Sequence, residues 1–204
     1  ASDPQESQPG GALSVSEPPA SAEPEPAPNP TEEPPDSAQE PGEEDTPSTL
    51  VAYFSATGNT EGIAQHLQAV LDADLYEIVP AEPYSDDDLN YNVSDCRANQ
   101  EQNDPDARPA IDGSVENMDG YDVIFPGYPM WWGEAPRIIS TFLESYDFTG
   151  KTIVPFCTSA SSGMGGSAEN LAALAGSATW LEGARFNPGA SQEEVAAWVD
   201  GLGL

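Results

Sequence analysis

Residues 50–54, Leu-Val-Ala-Tyr-Phe, are an unbroken apolar run rich in β-formers, which predicts a short buried strand. Ser55-Ala-Thr-Gly-Asn-Thr60 then breaks the run with hydroxyls and a glycine. Beyond it Ile63, Leu67 and Val70 recur at helical spacing through Leu71. The same alternation continues along the chain. Asp74–Val79 reads as a second strand stopped by Pro80 and Pro83. Ser85 followed by Asp86, Asp87 and Asp88 reads as a helix start, with helix running on through Arg97 to Gln102. Asp122–Pro126 is a third strand, entered through Met118–Tyr121 and ended by Pro126-Gly127. Pro136–Glu144 places Ile138, Ile139, Phe142 and Leu143 on one helical face, with the proline in the first turn where it is tolerated. Lys151–Cys157 is a fourth strand, Ser167–Leu174 a helix and Trp180–Phe186 a fifth strand. Ser191-Gln-Glu-Glu194 is a capping box that opens a last helix.

Five strands alternating with helices predict an α/β fold with a parallel sheet and right-handed crossovers. The loops after strands one, three and four are richer in Gly, Ser, Thr or aromatics than a connection requires. If those strands are neighbours, their carboxyl ends line one crevice at a switch point in strand order.

Charge divides the chain in two. The sequence has 204 residues and a net charge of −31, with five Lys and Arg in all. Residues 1–48 hold 12 of the 21 prolines and 12 of the 36 acidic residues, and no Lys or Arg. Such a segment lacks the apolar surface to offset ordering entropy, so it reads as a disordered acidic linker ahead of one domain, 49–204. That domain sets 24 acidic residues against five basic ones, about −19, which excludes nucleic acid and anionic membrane surfaces as partners. A protein partner with a basic surface is compatible with it, and so is plain solubility in a salty or extracellular medium. No apolar run reaches transmembrane length. A Pro/Glu/Ser spacer suits a tether from a lipid anchor upstream of Ala1, hence an exported or cell-surface location. The alternative is a plain tail on a cytoplasmic protein.

The polar loop at 55–60 carries the first candidate chemistry. Strand, loop and helix N-terminus in that order form an anion site, with hydroxyls from Ser55, Thr57 and Thr60 and unpaired first-turn N–H groups. No Lys or Arg lies between Leu50 and Leu71. Neutral donors and the helix dipole suit a phosphate monoester, so a phosphate-bearing cofactor is expected there. The second loop, Pro126-Gly-Tyr-Pro-Met-Trp-Trp-Gly133, offers flat walls for an aromatic ring. The third, Thr158 to Gly166, offers small side chains and accessible amides for a polar ring edge.

Ser55-Ala-Thr-Gly-Asn-Thr60 after an apolar strand resembles the phosphate loop of flavodoxins and flavodoxin-like FMN proteins. Asp88-Leu-Asn-Tyr91 with Arg97, Glu101, Arg108-Pro109 and Ile111 is similar to the long second connection of a bacterial flavodoxin-like subfamily. Gly127–Gly133 and Pro155-Phe-Cys-Thr-Ser159 resemble that subfamily's ring-binding loops. The resemblance spans residues 49–204. It implies a three-layer sandwich with sheet order 2-1-3-4-5, the order for which flavodoxin is a standing example. It implies FMN as cofactor, its phosphate on Ser55, Ala56, Thr57, Gly58, Asn59 and Thr60. Pro126, Gly127, Tyr128, Pro129, Met130, Trp131 and Trp132 would run along the isoalloxazine, with a carbonyl near Gly127 or Tyr128 accepting from the ring. Thr158, Ser159, Gly163, Met164 and Gly165 would face the pyrimidine edge. The implied function is FMN-dependent electron transfer between protein partners. The alternatives are an FMN-dependent NAD(P)H:quinone or small-acceptor oxidoreductase, and a binding module that has lost its flavin. Apolar walls and many carboxylates disfavour a fully reduced anionic ring, so a strongly negative second reduction step is expected.

Three residues invite other readings. His66 is the only histidine, lies beside the apolar stripe of its helix, and has no metal-ligand spacing around it. Cys96 and Cys157 are either two free thiols or a disulfide closing a loop worth roughly 3–5 kcal/mol. They are not spaced as a catalytic pair. Glu134 reads as a solvated loop charge.

Overall fold

The computed structural model of the chain describes residues 47–204; the expectations for residues 1–46 lie outside them. Its elements are β1 (Thr49–Tyr53), α1 (Asn59–Leu71), β2 (Asp74–Glu77), β3 (Val79–Pro80), α2 (Arg97–Asn103), β4 (Ile111–Asp112), β5 (Val123–Pro129), α3 (Arg137–Glu144), β6 (Thr152–Ile153), β7 (Phe156–Thr158), α4 (Ser167–Ala172), β8 (Thr179–Trp180), β9 (Ala184–Phe186) and α5 (Gln192–Asp200).

The central sheet is parallel throughout. β2 pairs with β1, β1 with β5, and β5 with β6 and β7 in turn. The register carries straight through Val154-Pro155, from Ile124↔Ile153 to Gly127↔Phe156, so β6 and β7 are one strand. Its neighbour differs. Ile153 faces Trp180, whereas Phe156 faces Ala184, so one extra residue sits between β8 and β9. That is a bulge. Gly183 permits it, because a Cβ there would lie 2.4 Å from the carbonyl oxygen of Pro155. With β6/β7 and β8/β9 each counted as one strand, the order is 2-1-3-4-5 as expected.

Strand composition explains the layers. Leu50, Ala52 and Phe54 alternate with Val51 and Tyr53, and all five are buried, because helices cover both faces. On one face Leu50, Ala52, Ile124, Tyr128, Ile153 and Cys157 pack with Ile138, Ile139, Phe142 and Leu143 of α3 and Leu171 of α4. On the other, Val51, Tyr53, Phe125 and Phe156 pack with Ile63, Ala64 and Leu67 of α1 and Val195 of α5. The capping box at Ser191 and Glu194 is formed.

Three boundaries differ from the sequence reading. The strand expected to stop at Pro126-Gly127 runs on to Pro129, since β1 and β7 both continue beside it and Gly127 lies flat under the Phe156 ring. Helix begins at Arg97 and not at Ser85; Ser85 and Asp88 instead close a local turn, with Asp88 Oδ2 accepting from Ser85 N at 2.8 Å. Val79-Pro80 leaves the second strand and pairs antiparallel with Ile111-Asp112. That small ribbon fixes the two ends of the long connection, residues 81–110, beside the sheet. Both cysteines are buried free thiols.

Candidate functional site

The loops after β1, β5 and β7 converge at the carboxyl ends of three adjacent strands and enclose a cavity of about 260 Å³. Ala56, Thr57 and Asn59 come from the first loop; Pro129, Met130, Trp131 and Trp132 from the second; Thr158, Ser159 and Ala160 from the third. Leu89, Tyr91 and Ala98 of the long connection close one side and Pro188 the far rim. No lining residue carries a charge, in a chain where acidic side chains prevail. An outer lobe of about 290 Å³ is lined by Tyr91, Met130, Trp131 and Trp132, all of which the inner cavity shares.

The rim at α1 presents backbone donors without a side-chain cap at Gly58. Gly58 has φ 79°, a left-handed value that costs glycine little, and it offers no side chain to cap the helix. The first-turn N–H groups of Asn59 and Thr60 have no intrahelical acceptor by construction of the helix. Ser55 Oγ accepts from Glu61 N at 3.2 Å and so satisfies the third. Thr57 and Gly58 are exposed at this edge, and Asn59 Nδ2 donates to Thr57 Oγ1 at 3.0 Å, which fixes that hydroxyl. Thr60 turns inward. Its hydroxyl shares a 2.8 Å hydrogen bond with that of Thr158, tying the first turn of α1 to the end of β7.

The aromatic wall is a tight turn. Trp131 N and Glu134 N each donate to the other residue's carbonyl at 3.0 Å. Trp132 and Gly133 between them have φ 49° and 84°, the signature of a two-residue type I′ turn. Trp131 stands edge-on to Phe54 at 5.5 Å and to Tyr84 at 5.4 Å. Trp132 is 48 % exposed at the mouth, with the 76 % exposed Tyr91 edge-on at 6.2 Å. Arg97 lies 4.2 Å over the Tyr84 ring, and Glu101 accepts the Tyr84 hydroxyl. Burial first, then that carboxylate, push the Tyr84 phenol well above its ordinary range.

Not every residue expected at the site reaches the cavity wall. Pro126, Gly127 and Tyr128 are buried inside β5. The Gly127 carbonyl already accepts from Phe54 N at 2.9 Å, and the Tyr128 hydroxyl shares a 2.9 Å bond with Ser167 below the sheet end. Burial raises the Tyr128 phenol well above its ordinary range. Met164 points back against Gly183, while Gly163 and Gly165 lie on the exposed outside of the third loop. Leu89, Tyr91, Ala98, Ala160 and Pro188 were not among the expected site residues. Tyr91 and Leu89 were signalled by apolar side chains standing in an otherwise acidic stretch; Pro188 had no signal at all.

The sequence profile of a family described as Flavodoxin matches residues 48–202. The chain belongs to the flavodoxin family. Among solved structures, this flavodoxin is similar to a protein from Bacteroides eggerthii DSM 20697 taken to be a flavoprotein, at 45 % identity and a TM-score of 0.73, covering 78 % of this chain and 99 % of the other. A counterpart from Bacteroides uniformis ATCC 8492 matches at 42 % identity and a TM-score of 0.72, covering 76 % and 98 %. A flavoprotein in complex with FMN from Lactobacillus acidophilus NCFM matches at 25 % identity and a TM-score of 0.59, covering 78 % and 99 %. No curated protein matches the chain.

Proposed function

We propose that this flavodoxin binds FMN in the cavity and carries electrons between protein partners. The observation that carries the reading is the cation-free N-terminus of α1, whose Asn59 and Thr60 N–H groups have no intrahelical acceptor, beside an uncharged aromatic cleft. Phosphate monoester and flat neutral ring are the two ligand parts those surfaces suit. The FMN complex of the Lactobacillus relative supports it.

On this reading the amides of Asn59 and Thr60 and the Thr57 hydroxyl hold the phosphate. Trp131, Trp132 and Tyr91 exclude water from the ring, and Thr158, Ser159 and Ala160 line the side of the cavity that takes its polar edge. When bound, FMN supplies the one- and two-electron chemistry. Titrating apo-protein with FMN and with riboflavin tests the site. Saturable binding of FMN at least tenfold tighter than riboflavin is expected; equal or absent binding refutes it.

The outer lobe favours a second reading, an FMN-dependent reductase of a small planar acceptor such as a quinone, since it opens beside the same tryptophans. Direct, saturable oxidation of NAD(P)H by loaded protein plus acceptor selects that reading, and its absence selects the carrier. Among the described residues no helix is long and apolar enough to cross a membrane. The proline- and acid-rich composition of residues 1–48 supports our proposal of a spacer holding an exported domain away from a surface. Cell fractionation that recovers the protein only from cytosol refutes it.

A further inference from the structure

α2 lies outside the cavity apart from Ala98, yet it grips the aromatic turn by its backbone. Gln102 Nε2 donates to the carbonyl of Trp131 at 3.1 Å and to that of Ala135 at 3.3 Å, so it spans both legs of the turn. α2 is itself held from the other side: Arg137 Nη2 donates to the Gln102 carbonyl at 2.9 Å. A second grip comes from α4, where Asn170 Nδ2 donates to both carboxylate oxygens of Glu134 at 3.1 and 3.0 Å. The held segment needs holding. Trp132 is a bulky residue in left-handed backbone, a conformation that costs on the order of 1 kcal/mol and persists only when surroundings over-determine it. Its own ring is half exposed and contributes little to that.

We propose that Gln102 is a positioning residue for the ring site, fixing Trp131 and Trp132 through their backbone while touching no ligand. The inference rests on the FMN reading above. Because the clamp acts on the ring wall and not on the α1 rim, its loss weakens binding of the ring alone as much as binding of the phosphorylated form. A role in stability alone lowers the melting temperature and leaves the affinity of folded protein intact.

The test is Gln102→Met, which keeps length and shape and removes the donor, with Asn170→Ala as a second variant that releases the Glu134 carboxylate. Hydrogen exchange in the apo full chain is expected to speed up at the amides of Trp131 and Glu134 by about tenfold, with β1 amides unchanged. Dissociation constants for FMN and for riboflavin are expected to rise by a common factor, also on the order of tenfold. Unchanged exchange at the turn, unchanged affinity, or a loss confined to FMN overturns the proposal. If unsubstituted protein binds neither flavin, the FMN reading fails, and the exchange result still decides whether Gln102 holds the turn.

Discussion

The hydrogen bond between Thr60 and Thr158 makes a sharp quantitative test, because both hydroxyls are buried and 2.8 Å apart. Thr60→Val keeps the branched shape and removes one partner, leaving the buried Thr158 hydroxyl at the cavity wall without it. Orphaning a buried hydroxyl costs about 1–3 kcal/mol, whereas replacing both partners by isosteric methyls is close to neutral. Each single variant, Thr60→Val or Thr158→Val, is therefore expected to lose about 1–3 kcal/mol, and the double variant less than either. In a domain of this size each kcal/mol corresponds to roughly 2–4 °C in Tm. Urea unfolding of the apo-protein, followed by tryptophan fluorescence and far-UV circular dichroism together, gives the four stabilities of the cycle. A coupling energy of about 1 kcal/mol or more, with the double variant recovering stability, is the expected result. Additive losses refute the reasoning: they would mean that each hydroxyl finds another partner and that the bond does not tie α1 to β7.

Four further outcomes are expected. Thr57→Ala weakens FMN by about 10- to 100-fold and leaves riboflavin unchanged, because a charge-assisted hydrogen bond is worth roughly 1.5–3 kcal/mol; parallel fluorescence titrations check it. Gly183→Ala destabilises by about 1–3 kcal/mol, since its Cβ meets a backbone oxygen at 2.4 Å, whereas the same change at Gly133, where an added Cβ meets nothing within 4 Å, costs only its φ strain of about 1 kcal/mol; thermal melts compare the two. Burial pushes the Cys157 thiol from its ordinary 9.0 to about 12, so its contribution is complete below pH 9 and declines above it, as the unfolded chain ionises first. Stability is expected to fall as pH rises from 9 to 10, where the unfolded chain's tyrosines begin to ionise as well, and Cys157→Ala is expected to remove the cysteine's share of that slope in urea melts while leaving the tyrosines' share. In the FMN-loaded protein the second reduction step lies below that of free FMN by spectroelectrochemistry, given uncharged walls and no cation at the cavity.

Most of the fold was legible because both faces of the sheet are covered. Leu50–Phe54 and Val123–Phe125 are apolar at every position for that reason, and such runs stand out in a sequence as acidic as this one. The turn chemistry of Ser55–Thr60 was equally plain. What misled was proline. Pro126 ends a strand by local rule, yet here it sits mid-strand in register with Ala52, because the pairing of Val123–Phe125 before it and Gly127–Pro129 after it carries the strand across one missing N–H. Ser85-Asp86-Asp87-Asp88 has the composition of a helix start, and a serine–aspartate turn competes for the same groups.

The site was legible where one loop supplies a whole surface and illegible where the surface is assembled. Thr57, Asn59, Trp131 and Trp132 reach the cavity from the loops that announced them. Tyr128 did not, since alternation along a strand sends neighbours to opposite faces, and continuing β5 by three residues put its ring in the core. Tyr91 and Ala98 reach the cavity only because the β3–β4 ribbon, Tyr84 and the Gln102 clamp fold the long connection over the tryptophans. Nothing local in 84–103 encodes that placement. It follows that the second connection shapes this cavity together with the loop that carries the tryptophans, and that substitutions at α2, though mostly outside the cavity, act on its wall.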